Sequence, residues 1–102
     1  MLSIFKKLFA PPVNFKEVIA KGALILDVRT KAEFDSGHIK GSLNIPLDEL
    51  PKKLGELHQK HKPIIVVCRS GNRSSIAKSI LKSDGIEVYN GGAWNSLEQK
   101  IK

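Results

Sequence analysis

Two nearly continuous apolar runs constrain the fold of this chain more than any other feature. One run covers residues 23–28, and the other, Ile64-Ile65-Val66-Val67, leads directly into Cys68. A strand without polar alternation is typical of a parallel sheet whose two faces are both covered by helices. The two runs therefore predict strands of a parallel α/β core.

Helical patterns alternate with the strand-like segments. Asn14 with Glu17, and Thr30 with Glu33, have the spacing of capping boxes and predict two short helices. Short strands are predicted at residues 42–45 and 86–89, with a turn at Gly91-Gly92. Three further helices are predicted, and Asp48 caps the first, with Pro51 in its first turn. The apolar face of the first helix is Leu47, Leu50, Leu54 and Leu57. The second has Ile76, Ala77, Ile80 and Leu81, and the third has Trp94, Leu97 and Ile101.

This alternation predicts a three-layer αβα sandwich with a mostly parallel central sheet of four to five strands. The length of 102 residues allows one domain, which we place at residues 13–102. Residues 1–12 form a short amphipathic segment that ends at Pro11-Pro12. We expect this segment to pack on the domain, and membrane contact through residues 1–10 is the alternative.

Composition narrows the function classes. A single cysteine excludes an intramolecular disulfide and four-Cys or Cys2His2 zinc sites, and it fits a reducing, cytoplasmic compartment. The formal charge of +7 favours anionic partners. Nucleic acid is not expected among them, because aromatic and basic residues do not alternate.

The strongest candidate for chemistry is Cys68, at the predicted carboxyl end of a central strand. In open α/β sheets ligands bind beyond these strand ends, and a helix is predicted to start a few residues later. Inward-pointing backbone N–H groups, with the charges of two nearby arginines, should lower the thiol pKa. The whole proposal for Cys68 requires that the sulfur is open to water and that these N–H groups point toward it. The proposed anion cradle is the loop Arg69, Ser70, Gly71, Asn72, Arg73 and Ser74.

Two residues of the neighbouring strand have expected supporting roles. Asp27 lies inside an otherwise apolar strand end, so if buried it needs a partner, either loop backbone or an arginine near the site. A structural carboxylate is favoured over a proton-transfer role. Arg29 is expected to brace the structure by pairing with Glu33 or Asp35.

Three segments of the chain together match a known family pattern: Leu26–Phe34 continued by Gly37–Pro46, the loop Val66–Ser74, and Tyr89–Trp94. These segments resemble the rhodanese homology domain. The resemblance spans about residues 13–97, and Ser42 and the short Gly92-to-Trp94 spacing depart from it. It implies a sulfurtransferase in which Cys68 takes the sulfane sulfur of an anionic donor such as thiosulfate. The resulting persulfide would pass its sulfur to a thiol or protein thiol, without a metal or organic cofactor.

Other functions remain open. The chain could instead serve as a persulfide carrier or protein-interaction module with low turnover on small donors. A phosphatase-like anion-binding role is disfavoured because only four residues separate Cys68 from Arg73, whereas related phosphatases enclose five. His38 as a base for Cys68, and a metal held by His58 and His61, are weaker alternatives. Trp94 is expected to anchor the last helix rather than to contact substrate.

Overall fold

A computed structural model describes residues 12–102 of the chain. The predicted amphipathic N-terminal segment, with its packing on the domain or contact with a membrane, falls on residues 1–11 and lies outside this range. The described helices are α1 (Phe15–Ala20), α2 (Lys31–Ser36), α3 (Leu50–Gln59), α4 (Asn72–Ser83) and α5 (Trp94–Ile101), and the strands are β1 (Leu24–Asp27), β2 (Leu43–Asn44), β3 (Ile64–Cys68) and β4 (Val88–Ala93). None of these helices combines the length and apolar character that a bilayer span requires.

The four strands form one parallel sheet in the order β2-β1-β3-β4. Alternate side chains of β1 and β3 face opposite helical layers. Leu26 and Val66 pack with α3 and α4, while Ile25 and Ile65 pack with α1 and α5. The predicted three-layer sandwich is confirmed, with four strands, because both faces of the central strands are covered.

Local capping explains where the short helices begin. Thr30 accepts a hydrogen bond from the Glu33 amide at 3.2 Å, and the Glu33 carboxylate accepts one from the Thr30 amide at 3.1 Å, so the predicted capping box is present. Asn14 caps α1 by accepting from the Glu17 amide. Asp48 does not cap α3, because a 3-10 turn at Leu47–Glu49 precedes that helix.

Two predictions about the later elements are wrong. Ile76 is 53% exposed, because the buried positions of α4 are Ser74, Ala77 and Leu81. The residues Gly91-Gly92 lie within β4 and do not form a turn that ends it. The register of β4 against β3 shifts by one residue between Val66 and Val67, and Gly91 is the extra residue of this bulge.

Candidate active site

Cys68 is the last residue of β3, at the carboxyl edge of the sheet, and α4 starts four residues later at Asn72. The intervening loop turns sharply at Gly71, whose φ of 104° is a conformation that glycine adopts without strain. The loop therefore brings the first turn of α4 back over the cysteine side chain.

Three groups of the loop and helix contact the Cys68 sulfur. The Gly71 amide donates to Sγ at 3.0 Å, and the Ser74 amide donates at 3.4 Å. The Ser74 hydroxyl lies 3.4 Å from Sγ. The predicted inward direction of the amides is thus observed at Gly71 and Ser74.

These contacts set the ionisation of Cys68. Burial raises the pKa of the thiol, since a charged sulfur loses hydration. Hydrogen bonds from the Ser74 hydroxyl and from the amides of Ser74, Gly71 and Ser70 outweigh burial, so the pKa lies below its ordinary value. The pKa of Cys68 is lowered, as expected, but the main causes of the lowering are these hydrogen bonds rather than the arginine charges.

The accessibility of the sulfur differs from expectation. Cys68 is only 1% exposed, and Sγ itself lies in the amide cradle. The expectation that the sulfur is open to water in this conformation is therefore wrong.

The two loop arginines have different surroundings. Arg73 forms a two-point ion pair with the Glu33 carboxylate, at 2.7 and 2.9 Å, so its guanidinium is already engaged. Hydrogen bonding to Arg73 is the main cause that lowers the pKa of Glu33 to about 2. Arg69 is exposed and forms no ion pair with a described residue. Its neighbours Ser70 and Asn72 are also exposed.

Asp27 and Arg29 form a buried pair beside the site. The Arg29 guanidinium donates to the Asp27 carboxylate, with a shortest distance of 2.7 Å. It also donates to the backbone oxygens of Glu33 and Gly37 and lies 4.8 Å from the Trp94 ring centroid. The predicted carboxylate partners, Glu33 and Asp35, were therefore wrong, and Arg29 instead ties β1 to α2 and α5.

The histidine alternatives receive no support from the described contacts. His38 is exposed, its Nδ1 lies 2.7 Å from the Phe34 carbonyl oxygen, and its ring stacks on Phe34. These contacts hold His38 in the turn after α2. Among residues 12–102, no three or more His, Cys, Asp or Glu side chains lie close enough together to hold a metal ion. His58 and His61 therefore do not belong to such a group.

Sequence reasoning missed three polar contributions to the site. The Ser74 hydroxyl contacts the sulfur, Glu33 holds Arg73, and the Asn90 side chain accepts a hydrogen bond from Ser74 at 2.8 Å. The only signal for Asn90 was its place before the glycine pair that forms the bulge. Long-range contacts of this kind leave no periodic pattern in a sequence.

The fold and the site define a class: small parallel α/β domains that hold one cysteine in an amide-lined loop. The chain belongs to the rhodanese-like domain family, whose model matches residues 12–96. The resemblance noted in the sequence is thereby confirmed.

Three comparisons illustrate this membership. A rhodanese domain-containing protein of Drosophila melanogaster is 41% identical over 74% of this chain and 82% of its own length. An adenylyltransferase and sulfurtransferase of Drosophila sechellia is 36% identical over 67% of this chain, but only 16% of that protein is covered. A structure of a rhodanese with anions from E. coli matches with a TM-score of 0.67 at 30% identity, over 72% of this chain and 89% of that chain.

Proposed function

We propose that this chain is a sulfurtransferase that carries sulfur as a persulfide on Cys68, with thiosulfate or a similar small anion as donor. Family membership and a relative named as a sulfurtransferase support sulfur transfer in general. The single observation that carries the persulfide step is the Cys68 sulfur at the strand end, held by the amides of Gly71 and Ser74.

The first half-reaction needs no external oxidant or reductant. The Cys68 thiolate attacks the sulfane sulfur of thiosulfate, and a bond forms between that atom and Sγ. The bond between the sulfane sulfur and the sulfonate sulfur breaks, and its electron pair leaves with sulfite. One negative charge remains on the outer sulfur of the persulfide.

The second half-reaction restores the enzyme. An acceptor thiolate attacks the outer sulfur, takes it as a new persulfide, and leaves the electron pair of the broken S–S bond on Sγ. Cyanide accepts in the same way and leaves as thiocyanate. In both halves, backbone N–H groups of the loop stabilise negative charge on sulfur.

Charge around the loop supports an anionic donor. Arg69 is exposed beside the cysteine loop, and α4 directs its N-terminal amides to the same place. Because Cys68 is only 1% exposed, the proposal requires a local movement of the loop or of its neighbours to admit the donor. We place this chemistry in the cytoplasm, where thiols remain reduced.

Mass spectrometry after incubation with thiosulfate tests the proposal. We expect a gain of one sulfur atom on the wild-type protein and none on Cys68→Ser, because no other cysteine is present. Thiocyanate formation from cyanide should likewise be lost in Cys68→Ser. A wild-type protein without the adduct, or a Cys68→Ser protein with unchanged turnover, contradicts the proposal.

Two further arms separate the alternatives. His38→Ala should retain turnover, because His38 contacts Phe34 and not the sulfur. Comparing cyanide, a small thiol and a protein thiol as acceptors separates general turnover from a dedicated sulfur carrier. Much faster transfer to the protein thiol would identify the carrier role.

A further inference from the structure

We propose that Asn90 is a positioning residue for the Cys68 reaction: its side-chain oxygen competes with the sulfur for the hydroxyl proton of Ser74. This inference rests on the proposed function for its biological meaning. The contacts that carry it belong to β4, which sequence reasoning did not connect with the site.

The Ser74 hydroxyl has more neighbours than it has protons. Its oxygen lies 2.8 Å from the Asn90 side-chain oxygen, 3.0 Å from the Gly71 carbonyl oxygen and 3.4 Å from the Cys68 sulfur. A hydroxyl carries one proton, and the Asn90 and Gly71 oxygens only accept. While the Ser74 hydroxyl donates its proton to Asn90, it can only accept a hydrogen bond from the Cys68 thiol. To stabilise the Cys68 thiolate, the hydroxyl must donate to Sγ and give up its bond to Asn90.

The backbone fixes the direction of the Asn90 amide. The Gly92 N–H, which can only donate, lies 2.9 Å from the Asn90 oxygen. Turning the amide over would place its NH2 group against this N–H, so the oxygen must remain directed at Gly92 and Ser74. The bulge at Gly91 brings the Gly92 amide to this position, two residues beyond Asn90.

The chemical consequence differs between the two states of Cys68. In the free thiolate, the charge is on Sγ, and Asn90 weakens the support that Ser74 gives it. In the persulfide, the charge is on the outer sulfur, and Sγ no longer needs the Ser74 proton. Asn90 therefore disfavours the free thiolate more than the persulfide.

Charged groups near the sulfur are not altered by changes at Asn90. Arg73 of α4 is paired with Glu33 of α2, and Asp27 of β1 is paired with Arg29. The exposed Arg69 follows β3. Residues 88–93 of β4 include no charged residue. The apolar residues of α3 in or against the core cluster that contains Cys68 are Leu50, Leu54 and Leu57.

A double-mutant cycle on thiolate ionisation tests the proposal. The ultraviolet absorbance of the thiolate is followed against pH in the wild type, Asn90→Leu, Ser74→Ala and the double variant, with Cys68→Ser as the baseline. Asn90→Leu should lower the Cys68 pKa by about half to one unit, which gives about three- to tenfold more thiolate below the pKa. In the Ser74→Ala background the same change should have no effect.

Equal shifts in both backgrounds, or no shift in a folded Asn90→Leu protein, overturn the proposal. If Asn90→Leu does not fold, Asn90→Asp is the second variant, because it retains an acceptor at this position. Asn90→Asp should raise the Cys68 pKa, and the rise should be smaller in the Ser74→Ala background. Equal rises in the two backgrounds overturn the proposal. The exposed Asn95→Leu is the matched control, expected to leave ionisation unchanged. The titration uses no sulfur donor, so its result does not depend on whether the protein forms a persulfide. Failure of this proposal can therefore be distinguished from failure of the proposed function.

Discussion

Arg73 shows how a single contact determines what a charged side chain can do. Its guanidinium is engaged by both oxygens of Glu33, so an anionic donor must compete with that carboxylate. Glu33→Gln removes the charge while keeping the oxygen that caps α2. We expect the KM for thiosulfate to fall by about two- to fivefold, the range of a part-exposed ion pair.

Steady-state kinetics of thiocyanate formation would measure this effect. The matched control is Asp35→Asn, which removes an acidic charge from the same helix. Asp35 pairs with Lys31 at the surface, with side chains 57% and 81% exposed, so its loss should leave the KM unchanged. An equal KM in Glu33→Gln and the wild type would show that Arg73 does not contact the donor.

Between elements, the contact of β3 with β4 depends on Gly91. A Cβ at this position would lie 2.9 Å from side-chain carbons of Ile65 and Val67 and 3.1 Å from the Val66 carbonyl oxygen. Gly91→Ala should therefore destabilise the fold by about 1–3 kcal/mol through overpacking. Because the bulge also positions Asn90, thiolate ionisation should change in the same variant.

Denaturant unfolding would measure the loss, with Gly55→Ala as the control. Gly55 lies inside α3, is exposed, and a Cβ there would meet no atom within 4 Å. We expect Gly55→Ala to stabilise the protein by about 0.5–1 kcal/mol, because alanine restricts the unfolded chain and favours helix. Equal stability of the two variants would exclude a special role for the bulge.

The elements could be predicted where one local sequence signal determined them. The apolar runs predicted β1 and β3, and Thr30 with Glu33 predicted the start of α2. The inward face of α4 could not be predicted in the same way. Hydrophobic periodicity assigned Ile76 to the core, but Ser74 occupies a buried position because its polar atoms bond to the site.

In the whole molecule, the site is assembled from residues that are distant in sequence. The pair Arg73–Glu33 spans 40 residues, and the contact of Ser74 with Asn90 spans 16. The sequence located Cys68 and its loop because they are contiguous. It could not reveal which polar side chains of α2 and β4 complete the site, since their partners depend on the packed sheet order.

The same long-range pair predicts how the molecule responds to acid. Hydrogen bonding to Arg73 lowers the pKa of Glu33 from 4.5 to about 2 in the folded state. A carboxyl whose pKa is lowered by folding stabilises the protein fully above the unfolded-state pKa, and this contribution is lost as pH falls through the folded-state pKa. The contribution of Glu33 should therefore decline between about pH 4.5 and pH 2.

The difference in unfolding free energy between the wild type and Glu33→Gln isolates this contribution. The absolute stabilities also change, because protonation of other carboxyl groups increases a formal charge that is already +7 at neutral pH. Near neutral pH the difference should be within about 1 kcal/mol, because both side chains are about one-third exposed and solvent screens the pair. It should stay constant down to about pH 5 and then shrink toward zero near pH 2. Urea unfolding at a series of pH values would measure it, and a difference unchanged at pH 2 would show that Arg73 does not hold Glu33 ionised.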